Sequence, residues 1–71
     1  MLRPEVTGKK ILRLPEVSAR IGRSGGAIYA MMARGDFPRP IPVGLRAVGW
    51  LEHEVDAWFE ARIAARDEKQ K

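Results

Sequence analysis

The sequence predicts a mainly α-helical fold with a small β-hairpin wing, a winged helix-turn-helix of three helices, and three observations predict it. Two short helix signals, Leu14-Pro15-Glu16-Val17 and Ser24-Gly25-Gly26-Ala27-Ile28-Tyr29, stand only a tight turn apart. A stretch from Asp36 to Trp50 follows, in which three spaced prolines forbid a helix. A longer amphipathic stretch from Leu51 to Arg66 completes the pattern.

Each element has a local reason. The first helix is expected to start at Pro15, whose fixed φ suits a first helical position, with Glu16 placed where the helix dipole favours an acid. Leu14, Val17 and Ile21 form one apolar stripe, and the helix should end near Gly22. Ser24 is a good N-cap for a second helix that runs to about Arg34, with Gly35 as its left-handed stop. At 100° per residue, Ala27, Ile28, Met31 and Met32 share one side and Gly26, Tyr29, Ala30 and Ala33 the other. The first group is the candidate core and the second the presented face. Pro38, Pro40 and Pro42 fit an extended edge strand, Gly44 marks a turn, and Leu45 to Trp50 return as the partner strand. The closing helix, from Leu51 or Glu52 to Arg66, sets Leu51, Val55, Trp58 and Ile63 on a common side with Phe59 beside them.

One domain is expected, over residues 11–66, preceded by a flexible basic arm at residues 1–10 and followed by a frayed charged tail at residues 67–71. At 71 residues the chain is near the size at which metals, disulfides or partners begin to be needed, and with no cysteine it has neither disulfides nor thiolate metal sites to draw on. No apolar run reaches the roughly 20 residues that span a bilayer, and Met1 to Lys10 lack the apolar segment of a signal peptide. A cytoplasmic, nucleoid-associated protein without a membrane partner is expected.

Charge is divided along the chain. Residues 1–50 carry nine Lys/Arg against three Asp/Glu, net +6, and residues 51–71 carry four against six, net −2. The basic surface therefore belongs to the first fifty residues, where Lys and Arg can displace counterions from a polyanion. In a small basic protein, a helix-turn-helix with a wing is the arrangement that sets one helix in the major groove of DNA and a hairpin on the neighbouring backbone.

The residues themselves suggest contacts. Arg23 and Ser24 stand at the start of the second helix, where free backbone N–H groups favour a phosphate oxygen, although capping alone also accounts for Ser24. Tyr29 faces outward, placed either to give its hydroxyl to phosphate or to stack beneath the wing. Arg46 after the wing turn and Arg39 between prolines can project toward a narrow minor groove. Arg20 and Arg34 flank the second helix as phosphate contacts or as ordinary surface charge, and Arg3, Lys9 and Lys10 offer further positive charge on the arm.

Other chemistries lack their residues. His53 is the only histidine and no ligand stands at metal-site spacing from it. Gly22 to Gly26 carry neither the Lys-Ser/Thr pair of a phosphate loop nor dinucleotide spacing after a strand. Trp50, Trp58 and Phe59 are spaced for packing against Ile28 and Met32 rather than as a platform for unstacked bases, and Met31-Met32 fill the same core. No enzyme, metal or cofactor is expected.

Several segments together resemble the AlpA family of small phage- and mobile-element-encoded regulators, whose fold is similar to the winged-helix domains of excisionases and MerR-type regulators. The resemblance covers about Ile11 to Arg66. It rests on Leu14 and Val17, Gly22 and Ser24, Ile28-Tyr29, Gly35-Asp36-Phe37-Pro38, and Arg46-Ala47-Val48-Gly49-Trp50-Leu51 leading into Glu54-Val55-Asp56-Ala57-Trp58. It implies binding of double-stranded DNA, with the second helix in the major groove and the wing at the adjacent minor groove. Carried over by residue, it points to Ser24, Gly25, Gly26, Tyr29 and Ala30 on the helix and to Arg39 and Arg46 around the wing.

In one respect the chain departs from the family pattern. Helix positions that are commonly polar or basic are Gly25, Gly26 and Ala30 here, and neither Gly nor Ala can bond a base edge bidentately. Recognition is then expected to rest on phosphate clamps, DNA shape and several sites used together. The role implied is a transcriptional regulator, an excision factor of a prophage or integrative element, or both, binding repeated sites cooperatively and bending them. Self-association on DNA and an integrase are the further partners implied. A second class of function, a protein-interaction adaptor that keeps the fold without DNA readout, is compatible with the same small-residue face.

Overall fold

The computed structural model describes residues 10–69. The elements run β1 (Ile11–Leu12), α1 (Leu14–Ile21), α2 (Gly25–Ala33), β2 (Ile41–Gly44), β3 (Ala47–Leu51) and α3 (Glu52–Lys69). Three helices and a small antiparallel sheet of order β1-β3-β2 make a winged helix-turn-helix. The expected basic arm lies, except for Lys10, outside the described residues.

Capping chemistry sets the helix-turn-helix. The Glu16 carboxylate accepts the Arg13 backbone N–H at 3.0 Å at the start of α1, with Pro15 in the first turn. Gly22 stops α1 in the left-handed region at φ 69° and donates its N–H to the Ser18 carbonyl. Two residues later the Ser24 hydroxyl accepts the Ala27 N–H at 3.2 Å and begins α2. At the far end Gly35, at φ 79°, and Asp36 donate to the Met32 and Met31 carbonyls at 3.0 and 2.8 Å. That pair of bonds is a Schellman motif, which satisfies carbonyls the helix would otherwise leave open. The turn itself is tied by the Ser18 hydroxyl, which donates to the Arg23 carbonyl at 2.6 Å.

The core is where the patterns of α1 and α2 meet the sheet. Leu12, Val17, Ile28, Met31, Phe37, Trp50 and Val55 are buried, and Leu14, Ile21, Met32, Trp58 and Phe59 pack around them. Trp50 and Trp58 do more than fill volume. The Trp50 indole N–H donates to the Pro38 carbonyl at 3.0 Å, and the Trp58 indole N–H to the Asp36 carbonyl at 2.7 Å. Phe37 lies between these two anchors, edge-on to Trp58 with ring centroids 5.1 Å apart.

Four features differ from the sequence expectation. The strand Ile11–Leu12 pairs with Leu51 and Trp50, so the sheet has a third strand at the edge of the expected arm, and the ladder continues through the Glu52 N–H to the Lys10 carbonyl. The wing turn is Leu45-Arg46, one step beyond Gly44, because an irregularity between Pro42 and Gly44 shifts the register. Leu45 is therefore at the tip rather than in the returning strand. Ile63 is 42% exposed, since α3 runs past the end of the core after Phe59. The helix also continues to Lys69, through part of the stretch expected to fray, over residues with good helix propensity and a basic last turn. Among the described residues no helix is long and apolar enough to cross a membrane.

Glycine is required where β3 passes under its neighbours. A Cβ on Gly49 would collide with Ile11 Cγ2 and come 3.2 Å from the Leu12 carbonyl oxygen. Gly26 is the opposite case, with nothing near its missing side chain. Gly49→Ala should cost about 1–3 kcal/mol through overpacking, whereas Gly26→Ala should stabilise by up to about 1 kcal/mol through helix propensity. Chemical denaturation of both variants checks the contrast.

Candidate nucleic-acid interface

The face of α2 turned from the core consists of Gly26, Tyr29, Ala30 and Ala33, all exposed, as the helical wheel predicts. Tyr29 is 45% exposed and rests edge-on against Trp50, with centroids 6.2 Å apart and planes at 70°. Its ring is thus positioned by the sheet while its other side stays open. Tyr29, Ala33, Met32 and Arg39 line one shallow hollow of about 210 Å³, so the helix face and the root of the wing form a continuous surface.

The prolines explain how Arg39 and Arg46 come to stand along the wing arm. Trp50 fixes the Pro38 carbonyl, and Pro38, Pro40 and Pro42 keep the segment extended until β2 pairs with β3. Arg39 is exposed at the root of this arm and Arg46 at its tip. At the other end of α2, Arg23 and Ser24 are exposed beside the first backbone N–H groups of the helix.

Three of the residues singled out from sequence are turned to other tasks. The Arg20 guanidinium donates to Glu52 Oε2 at 2.8 Å and lies 3.9 Å from Asp56 Oδ1, which ties α1 to the acidic first turn of α3. Arg34 donates through Nε to Asp36 Oδ2 at 3.1 Å at the end of α2. Gly25 is half-buried with Leu14 behind it, where an added Cβ would stand 3.1 Å from Leu14 Cδ2. Its smallness serves helix–helix approach, and only its backbone is available to a ligand. No described carboxylate pairs with Arg23, Arg39 or Arg46.

The wing carries a feature that the sequence reading passed over. Leu45 is fully exposed at its tip, with Val43 and Val48 about two-fifths exposed below it. The signal was the apolar residue directly after Gly44, which strand alternation absorbed into β3. Among the described residues no cluster of three His, Cys, Asp or Glu stands as a metal site.

A helix-turn-helix with a proline-stiffened wing and arginines around its second helix defines a small winged-helix protein of the nucleic-acid-binding type. The chain belongs to the AlpA family: residues 10–63 match the model described as "Prophage CP4-57 regulatory protein (AlpA)". It is 41% identical over 63 residues to the uncharacterized protein ORF88 of Enterobacteria phage P4, a match spanning 89% of this chain and 72% of that one. It is 37% identical over 59 residues to the DNA-binding transcriptional activator AlpA of Escherichia coli strain K12, over 75% of this chain and 84% of the relative.

The ion pair between α1 and α3 is open to solvent and so contributes modestly. In a double-mutant cycle of Arg20→Ala and Glu52→Gln, thermal or denaturant unfolding should return a coupling of about 0.2–1 kcal/mol, the range of surface pairs.

Proposed function

We propose that this chain binds double-stranded DNA as a regulator of a prophage or integrative element. In this reading α2 lies in the major groove, the wing follows the adjacent minor groove, and the protein resides in the cytoplasm on the nucleoid. The observation that carries it is the continuous surface joining Tyr29 and Ala33 of α2 to Arg39 of the wing arm, with Arg23 at one end and Arg46 at the other. A relative that is a DNA-binding transcriptional activator, and another encoded by a phage, support the same direction.

The roles follow from side-chain chemistry. Arg23, Arg39 and Arg46 bond phosphates or the minor-groove floor, and Ser24 with the Gly25 and Gly26 backbone N–H groups meets a phosphate at the start of α2. The Tyr29 hydroxyl bonds a backbone oxygen, and the Ala30 methyl touches a thymine methyl. Gly26 and Ala30 leave base edges without polar partners, so one site is only modestly specific. Several copies on repeated sites, associating with one another and bending the DNA, supply the discrimination. Such an assembly suits a promoter, and it also suits an attachment site where an integrase acts and the protein serves as excision factor.

The test is sequencing of genomic fragments retained by the purified protein at near-physiological salt, beside the Arg23→Ala/Arg46→Ala variant. Tandem sites at an integrase-linked attachment region support the excision role, and promoter sites support transcriptional regulation. No enrichment over the variant overturns DNA readout and favours the adaptor, because the small-residue face of α2 serves a protein partner equally well. In salt titrations of binding, Arg23→Ala, Arg39→Ala and Arg46→Ala should each lower the slope of log K against log salt by about one. Arg20→Ala, whose guanidinium serves Glu52, should leave that slope unchanged.

A further inference from the structure

We propose that Leu45 is a wedge that enters the minor groove, parts a base step and kinks the DNA, an inference that rests on the DNA-binding reading above. Leu45 is fully exposed at the outermost point of the hairpin, in a two-residue turn where polar residues and glycine are the usual occupants. It makes no contribution to the core, so folding does not account for it. Val43 and Val48, part-exposed on the strands below, make the end of the wing apolar rather than leaving one stray leucine.

The surroundings choose the occupant. Between Asp36 and Glu52 the chain holds no acidic residue, and Arg39 and Arg46 are its only charges. An apolar tip with an arginine beside it has the composition of minor-groove wedges, in which a leucine, isoleucine, methionine, proline or phenylalanine unstacks a step while cations hold the flanking phosphates. A wedge must also be stiff. Pro38 is held by Trp50, Pro40 and Pro42 restrict the arm, and β2 is paired to β3, so pushing the tip against stacked bases does not simply fold it back. The kink would provide what α2 lacks, because pyrimidine–purine steps open more readily than others and a wedge therefore selects sequence without bonding a base edge.

The experiment uses the whole chain with fluorophore-ended A·T-rich duplexes, carrying either one central TA step or none. 2-Aminopurine at that step reports unstacking, and energy transfer between the ends reports bending. Wild type should raise the 2-aminopurine emission and the transfer on the TA duplex, with a kink of roughly 20–90°. Leu45→Ala and Leu45→Ser should keep the unfolding midpoint and bind within a few-fold, yet lose most of both signals, while Leu45→Met should restore them. Equal bending and emission by wild type and Leu45→Ala overturns the wedge and leaves DNA binding standing. Leu45 variants that bend a single site normally but no longer load neighbouring copies also overturn it, in favour of a contact between proteins. Absence of any duplex binding by wild type removes the DNA reading itself, and the wedge with it.

Discussion

Two indole N–H groups hold the segment that leaves the second helix, and the placement of everything beyond it depends on them. Trp50, from the sheet, bonds the Pro38 carbonyl, and Trp58, from the last helix, bonds the Asp36 carbonyl. With Phe37 buried between, three successive residues are tied to two consecutive elements, β3 and α3, that lie well along the chain from them. A net hydrogen bond contributes only about 1 kcal/mol, but a buried donor left without its partner costs about 1–3 kcal/mol. Loss of a buried tryptophan costs about 3–5 kcal/mol, against a total stability of about 5–15 kcal/mol for an ordinary domain. In a chain this small, the same bonds that stabilise the fold also fix the angle between α2 and the wing.

The glycines show how tightly that angle is built. Gly25 lets α1 and α2 approach through Leu14, and Gly49 lets β1 and the wing strand close over β3. Gly22 and Gly35 end the two short helices in backbone conformations that other residues adopt only with strain. Gly26, on the exposed face of α2, is free of such constraint, so its lack of a side chain belongs to the outer surface and not to packing. A bare stretch at that point lets the helix backbone come close to whatever it faces.

Much of this was legible in the sequence because its causes are local. Ser24, Gly22 and Gly35 act within a turn of themselves, and the stripe Ala27, Ile28, Met31, Met32 needs only the helical period, so α1, α2 and the outward set came out of the residues directly. What could not be read depends on partners far along the chain. Ile11–Leu12 is two residues long and becomes a strand only through Leu51 and Trp50. Arg20 looked available until α3 delivered Glu52, and Leu45 looked like strand until the register shift near Pro42 moved the turn onto it. Ile63 keeps the period of its helix, but periodicity says nothing about where the opposing core ends.

The pairing of Arg20 also bears on how charge is organised. The net positive half of the chain contributes one arginine to the acidic first turn of α3, and a second, Arg34, to Asp36. Those solvent-open pairs neutralise two of its cations where they stand. Arg13 and Arg62 also lack a described carboxylate, Arg62 lying over the Trp58 ring, but it is Arg23, Arg39 and Arg46, likewise without one, that stand around α2 and its wing. None of the three supports the core, so their identities are free to follow a ligand while Ile28, Met31 and Trp50 follow the fold. Surface charge and stability are thus carried by separate residues on the same short elements. A face of Gly26, Ala30 and Ala33 can then be nearly featureless without cost to folding, because the core is built from the opposite side of the same helix.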